Sequence, residues 1–225
     1  MLHTRHGWWL EEAGEVTPTH PLDGDASADV VVVGGGYLGL WTAWHLLELE
    51  PELDVILLES AVCGHGPSGR NGGFCETLWG DAPTLREQAG DAAALAVCRA
   101  SEDAVRGIGA WCERNEIDAW FREAPMLRVA TTESQLGTWD ETVRAAAELG
   151  AAGEVVAVSA DDVRARCGSP LFLGGALYRL NATVHPARNS GDEHRARTSS
   201  AETDTTSSRE PSSAAARTIP SHDPS

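Results

Sequence analysis

The sequence has no Cys-x-x-Cys pair, no apolar run approaching the length of a membrane span, and half as much positive as negative charge. Each absence closes off a class of function. The five cysteines, Cys63, Cys75, Cys98, Cys112 and Cys167, form an odd set at scattered spacings. That argues against a disulfide framework and against a thiolate zinc site, and suits reduced thiols in a cytoplasmic protein; no metal is expected. A bilayer-spanning helix needs about 18 or more consecutive apolar residues. No such run exists, and Glu11 interrupts the opening stretch MLHTRHGWWLEEAGEV before any signal-like apolar segment, so neither a membrane span nor an export signal is expected. With 17 basic against 34 acidic residues the net charge is −17, which a nucleic-acid backbone or an anionic lipid surface would repel.

What is present suffices for a buried core: 225 residues, 42% of them hydrophobic, enough for one good-sized domain or two small ones. Composition divides the chain into an N-terminal extension over 1–27, a folded domain over 28–188, and a tail over 189–225 in which Ile219 is the only large apolar residue. Such a tail cannot bury a core and is expected to be disordered. Ahead of it, strand-like and helix-like patterns alternate, which points to an α/β or α+β arrangement. The four valines of 29–33 predict a strand covered on both faces, 37–49 a helix closed before Pro51, and 54–59 a second strand. Leu95, Cys98, Val105, Ile108 and Cys112 recur at helical spacing and predict one apolar face of a helix over 90–114. A strand is expected over 126–131. A Thr132–Gln135 capping box is expected to open a helix carrying Leu136, Trp139, Val143 and Ala146, with Gly150 as its stop. A strand over 154–159 then leads to a Ser159/Asp162 box and a short helix ending near Gly168.

The chemistry lies in VVVVGGGYLGLWTAWHLL, which begins at Val30. Gly34, Gly36 and Gly39 stand at G-x-G-x-x-G spacing between strand and helix, and Glu59 closes the next strand about 20 residues on. The first glycine permits a sharp turn, the second lets a pyrophosphate reach the backbone, and the third lets helix and strand pack closely. The helix start, with its N–H groups and partial positive charge, holds the diphosphate. Glu59 can accept from both ribose hydroxyls and would repel the extra phosphate of NADP. The competing reading is a tight turn with no ligand. Downstream, GHGPSGRNGGF at 64–74 surrounds Arg70 with glycines, a backbone able to wrap an anion or, alternatively, a surface loop.

ADVVVVGGGYLGLWTAWHL, LLES and PSGRNGGF, in that order, together with RLNATVHPAR at 179–188, resemble the flavin-dependent amine and D-amino-acid oxidase family, which includes glycine, sarcosine and gamma-glutamylputrescine oxidases. The resemblance spans about residues 8–188. It implies FAD as cofactor, with Gly34, Gly35, Gly36, Tyr37, Leu38 and Gly39 at the diphosphate, Glu59 at the adenosine ribose, and Ser68, Gly69, Arg70, Asn71, Gly72 and Gly73 toward the flavin. It also implies oxidation of a C–N bond in a small amine or amino acid by hydride transfer to flavin N5. The implied fold is a FAD-binding Rossmann-like βαβ unit with part of an α+β substrate domain. Family members are much longer, so a truncated or frameshifted reading frame after residue 188 is expected, with apolar residues left exposed and doubtful turnover. No catalytic base can be named, and the oligomeric state is open. The glycine turn and strand-end acid would also suit an NAD-dependent dehydrogenase, or a remnant that binds a nucleotide without catalysis. Trp8, Trp9, Trp41, Trp44, Trp111, Trp120 and Trp139 are read as packing residues, His65 and His185 as candidates for a catalytic or flavin-linked role with an ordinary loop histidine the reading preferred for His65, and Cys63 and Cys75 as inert.

Overall fold

A run of four β-branched residues followed by glycines can hardly be anything but a strand running into a turn. The structure, a computed structural model, describes residues 7–14, 21–189 and 217–220. Its elements begin with α1 (Trp8–Glu12), β1 (Val30–Val33), α2 (Tyr37–Leu49), β2 (Val55–Glu59) and β3 (Phe74–Glu76). Then come α3 (Ala82–Arg114), β4 (Arg122–Glu123), β5 (Met126–Ala130), α4 (Asp140–Glu148) and β6 (Val155–Val158). The chain continues through α5 (Ala160–Cys167), β7 (Gly174–Tyr178) and β8 (Asn181–Thr183), and β9 is Arg217–Pro220. Two compact units result: one holds residues up to Gly73, Asn115–Ala119 and the chain from His185, the other Phe74–Arg114 and Trp120–Val184.

The first unit is a βαβ unit. β1 and β2 pair in parallel from Val30↔Val55 to Val33↔Leu58, and α2 supplies the crossover that parallel pairing requires. Leu40, Ala43 and Leu47 of α2 pack onto Val55 and Leu57, with Val30, Val32 and Leu53 beside them. Only the face bearing Val30 and Val32 is covered. Against the expectation of a strand buried on both sides, Val31 is 52% and Val33 81% exposed, because no described helix lies on the second face. Within the tail, Arg217–Pro220 forms a strand parallel to β2, from Ile56↔Arg217 to Glu59↔Pro220. The remainder of the tail expected to be disordered, 190–216 and 221–225, lies outside the described residues.

The second unit is α+β. Its two sheets are antiparallel, in the orders β3–β8–β4 and β5–β7–β6. Within α3, Ala82–Arg114 is two helices that meet at Gly90, whose φ of 79° and ψ of 169° are not helical, and the second of them is the helix expected over about 90–114. Its buried face carries Ala94, Cys98, Val105 and Cys112, and also Trp111 and Glu102. The Thr132–Gln135 capping box forms with both reciprocal bonds, but it closes a single 3-10 turn over Glu133–Gln135 rather than opening a helix. Leu136 then turns extended at ψ 134° and Gly137 takes φ +76°, so the helix starts at Asp140. Gly150, at φ +76°, ends it as expected. Ser159 caps α5 by accepting from the Asp162 N–H at 3.1 Å, and Gly168 closes it in the left-handed conformation. Trp44 and Trp111 are core residues, whereas Trp8 and Trp120 are exposed; Trp79, 1% exposed, is the largest fully buried side chain among the described residues. All five cysteines are free thiols.

Candidate cofactor site

The turn between β1 and α2 shows why glycine stands at each position. Gly34 donates its N–H to Leu58 O at 2.8 Å and turns the chain at φ +104°, a region that L side chains rarely enter. Gly39 lies one turn into α2, where a Cβ would fall 1.9 Å from Gly34 O, so helix and turn can approach this closely only without a side chain. A Cβ on Gly35 would meet Cys63 Sγ at 2.5 Å, and one on Gly36 would stand 3.0 Å from Ser68 Oγ. Cys63 thus forms the floor of the turn.

Glu59 closes the turn from the far side. Its Oε2 accepts from the Gly35 N–H at 2.7 Å, and its Oε1 accepts from the Ala61 N–H at 3.0 Å and the Ser60 hydroxyl at 3.1 Å. Burial acts to raise its pKa, but hydrogen bonds from the Gly35 and Ala61 N–H groups and from Ser60 outweigh it, so the carboxyl titrates below its ordinary value of 4.5. A carboxylate with a lowered folded pKa contributes stability that is complete above the unfolded value and is lost as pH falls through the folded one. The turn is therefore expected to hold unchanged from neutrality to about pH 4.5 and to loosen below it, and Glu59→Gln should flatten that dependence; amide exchange at Gly35 across the acid range is the check.

The loop after β2 folds back over the same place. Gly64 N–H donates to Gly35 O at 2.8 Å, and Pro67–Gly69 forms one 3-10 turn. Gly69 has no room for a side chain, since a Cβ would lie 2.2 Å from Gly64 O. Asn71 shapes the exit: its Nδ2 donates to Ser68 O at 2.7 Å and its Oδ1 accepts from the Gly73 N–H at 2.8 Å. Ser68 Oγ accepts from the Tyr37 N–H at 2.9 Å, which places it at the start of α2. Arg70, Asn71 and Gly72 are exposed, with Arg70 Nη2 3.4 Å from His65 Nε2. Leu38 is also exposed, at 83%. Gly34, Gly35, Gly36, Tyr37, Glu59 and Ser68 therefore converge beyond the carboxyl ends of two parallel strands, where open α/β sheets bind ligands.

Tyr37 and His185 both stand out in the sequence, but the contacts they make were not legible there. The Tyr37 hydroxyl donates to Pro186 O at 3.0 Å, and His185 is fully buried, its Nδ1 accepting from the Arg188 N–H at 3.2 Å. The available signal was Pro186 at the first helical position of residues 186–189, whose third residue donates its N–H to the His185 ring. Among the described residues no group of three or more His, Cys, Asp or Glu side chains is placed to hold a metal ion, and no helix is long and apolar enough to cross a membrane.

A turn held at φ +104° by Gly34, bare of a side chain at Gly36 and with no room for a Cβ at Gly39, with a carboxylate at the next strand end, fits the diphosphate and ribose of a dinucleotide. The chain is 28% identical over 193 residues to gamma-glutamylputrescine oxidoreductase of Escherichia coli K12, covering 83% of this chain and 43% of that protein. It is 34% identical over 117 residues to the probable oxidoreductase OrdL of Rhizobium meliloti 1021, covering 50% of this chain and 26% of the relative. It thus spans less than half the length of either. Glycine oxidase from Geobacillus kaustophilus shares the fold at a TM-score of 0.60 and 20% identity, over 86% of this chain and 46% of the oxidase. The model of the FAD dependent oxidoreductase family, DAO, matches residues 29–189, a span that takes in the glycine turn, the strand-end acid and the SGRNGG loop, and the chain belongs to that family, whose cofactor is FAD.

Proposed function

We propose that this chain forms the cofactor-binding part of an oxidoreductase that oxidises a C–N bond of a small amine or amino acid. The observation that carries the reading is the glycine turn held between Glu59 and Ser68. The Gly35 N–H is committed to Glu59 and the Tyr37 N–H to Ser68, which leaves the N–H groups of Gly36 and Leu38 at the start of α2 for a phosphate. Ser68 accepts from Tyr37 and retains its own hydroxyl proton to donate to the same phosphate. Glu59, kept ionised by its hydrogen bonds, serves the ribose hydroxyls as acceptor. Arg70, Asn71, Gly72 and Gly73 form the part of the loop that continues toward the flavin. FAD bound there would supply the hydride acceptor. The amine or amino-acid class is supported by the name of the E. coli relative.

The test is the visible spectrum of the purified chain after incubation with FAD and removal of free cofactor. Flavin bands that persist, and that NAD does not displace, support the cofactor assignment; a colourless chain would sink it. Bleaching of those bands by an amine or amino acid under anaerobic conditions separates turnover from cofactor binding alone.

A further inference from the structure

Residues 7–14 precede the span matched by the family model, yet they pack onto the residues that shape the cofactor turn. Leu10 Cδ2 lies 2.9 Å from the point where a Gly69 Cβ would stand, so its methyl rests on the bare backbone of the SGRNGG loop. Trp9 meets the His185 ring edge-on, with centroids 4.8 Å apart. The Glu12 carboxylate is shared: Oε2 is 2.7 Å from His185 Nε2, and Oε1 accepts from Arg188 Nη2 at 3.0 Å. Arg188 is anchored in turn by Asp118, whose Oδ2 and backbone O accept from its Nη1 at 3.0 and 3.1 Å.

These contacts determine the state of a buried imidazole. Because His185 Nδ1 accepts from the Arg188 N–H, the ring proton sits on Nε2 and is donated to Glu12. Pro186, the next residue, lends its carbonyl to the Tyr37 hydroxyl at 3.0 Å, and the Tyr37 N–H reaches Ser68 Oγ at 2.9 Å. A path therefore runs from Glu12 to the first residue of α2, by hydrogen bonds at Glu12–His185 and Pro186–Tyr37 joined through the His185–Pro186 backbone.

We infer that residues 7–14 are a strap over the cofactor turn, with Glu12 a positioning residue that holds Tyr37, through His185 and Pro186, in the geometry that accepts the diphosphate. Removing the Glu12 carboxylate takes from the buried His185 Nε2–H its acceptor and from Arg188 one of its two carboxylate partners, so the 185–188 turn relaxes and carries the Pro186 carbonyl away from Tyr37. The part of this inference that concerns affinity rests on the FAD reading above; the part that concerns Tyr37 does not.

The experiment compares the full chain with Glu12→Ala, with Glu11→Ala as a control at an exposed position of the same short helix, and with Tyr37→Phe. Amide exchange at Tyr37 is read without cofactor, and the FAD Kd by quenching of flavin fluorescence. Glu12→Ala is expected to speed Tyr37 exchange and weaken FAD by about tenfold each. In the Tyr37→Phe background it is expected to add less than about twofold to the Kd, because the path is already cut. Equal behaviour of Glu12→Ala and Glu11→Ala at Tyr37, or an undiminished effect of Glu12→Ala in the Tyr37→Phe background, overturns the strap. If Glu12→Ala fails to fold, Glu12→Leu, which fills the space but removes the acceptor, is read in the same assays: a loosened Tyr37 amide supports the strap and an unchanged one overturns it. If the unaltered chain binds no FAD, the cofactor reading falls while Tyr37 exchange still decides the strap.

Discussion

Gly39→Ala is expected to strip the chain of retained FAD and to destabilise it by more than about 3 kcal/mol, well beyond an ordinary overpacking substitution. The added Cβ would lie 1.9 Å from Gly34 O and 3.1 Å from Gly34 C, backbone atoms that cannot swing aside as a flexible side chain would. Gly34 is itself fixed, by its hydrogen bond to Leu58 O and by a φ of +104°, so relief must come from lifting α2 off β1. That motion opens the contact of Leu40, Ala43 and Leu47 with the strands and drags the α2 N-terminus out of the turn. Two further alanines locate the effect. Gly66, with an ordinary φ and nothing within 4 Å of a Cβ, is expected to tolerate alanine with little change in either property. Gly36→Ala meets only Ser68 Oγ, at 3.0 Å, a hydroxyl that can rotate, so the fold should survive while the methyl obstructs the phosphate. Urea midpoints and retained flavin absorbance, measured on all three, check this. A Gly39→Ala chain as stable and as yellow as the unaltered one would remove the physical basis for the third glycine, and a Gly36→Ala chain that keeps full FAD affinity would move the cofactor away from this turn.

The βαβ unit was legible because its determinants are local: valines in series, glycines at fixed spacing, Pro51 after the helix and Glu59 at a strand end all lie within 31 residues, Asp29–Glu59. Caps were legible for the same reason where the backbone agreed with them, as at Ser159, and misleading where it did not. At Thr132 the box is real, but Gly137 in a left-handed conformation outranks it and delays the helix to Asp140. Non-local pairing left no local trace. Nothing in Arg217–Pro220 announces that it will lie beside β2, and nothing in WWLEE announces that Glu12 will meet a histidine 173 residues away. The same holds for coverage: a run of valines records that a strand forms, while the exposure of Val31 and Val33 depends on which helices arrive over each face. Of the candidate site, the residues that need special backbone geometry could be read from spacing, whereas those that act by reaching across the fold, Tyr37 through its hydroxyl and His185 through both ring nitrogens, could not.

A charge on the apolar face of α3 carries the other large expectation. Glu102 lies between Cys98 and Val105 on the buried face and is 4% exposed. Its Oε1 accepts from Trp79 Nε1 at 2.7 Å, and Arg99 Nη1 lies 2.9 Å from both carboxylate oxygens and 2.8 Å from Glu154 Oε1. The same guanidinium stands 5.3 Å from the Trp79 ring centroid, so one buried carboxylate organises an indole from two directions. Deleting one member of a buried pair costs about 3–5 kcal/mol because the survivors are left uncompensated. Arg99 is partly exposed and keeps Glu154, so Glu102→Ala is placed at the lower end, about 3 kcal/mol, most of it from the orphaned Trp79 N–H and the space left around it. Glu102→Gln keeps an acceptor for the indole and is expected to cost about 1 kcal/mol. Cys98 gives a local reading of the same event. Burial, with the charges of Glu102 and Asp81 adding to it and Arg99 opposing, pushes its thiol pKa up and keeps it unreactive in the folded chain. Glu102→Ala is therefore expected to shift the urea midpoint downward and to accelerate alkylation of Cys98, with Glu102→Gln between it and the unaltered chain. If Glu102→Leu proved as stable as the unaltered chain, the carboxylate would be dispensable to the fold, and its network would have to be explained by the need to hold Trp79 in one orientation rather than by stability.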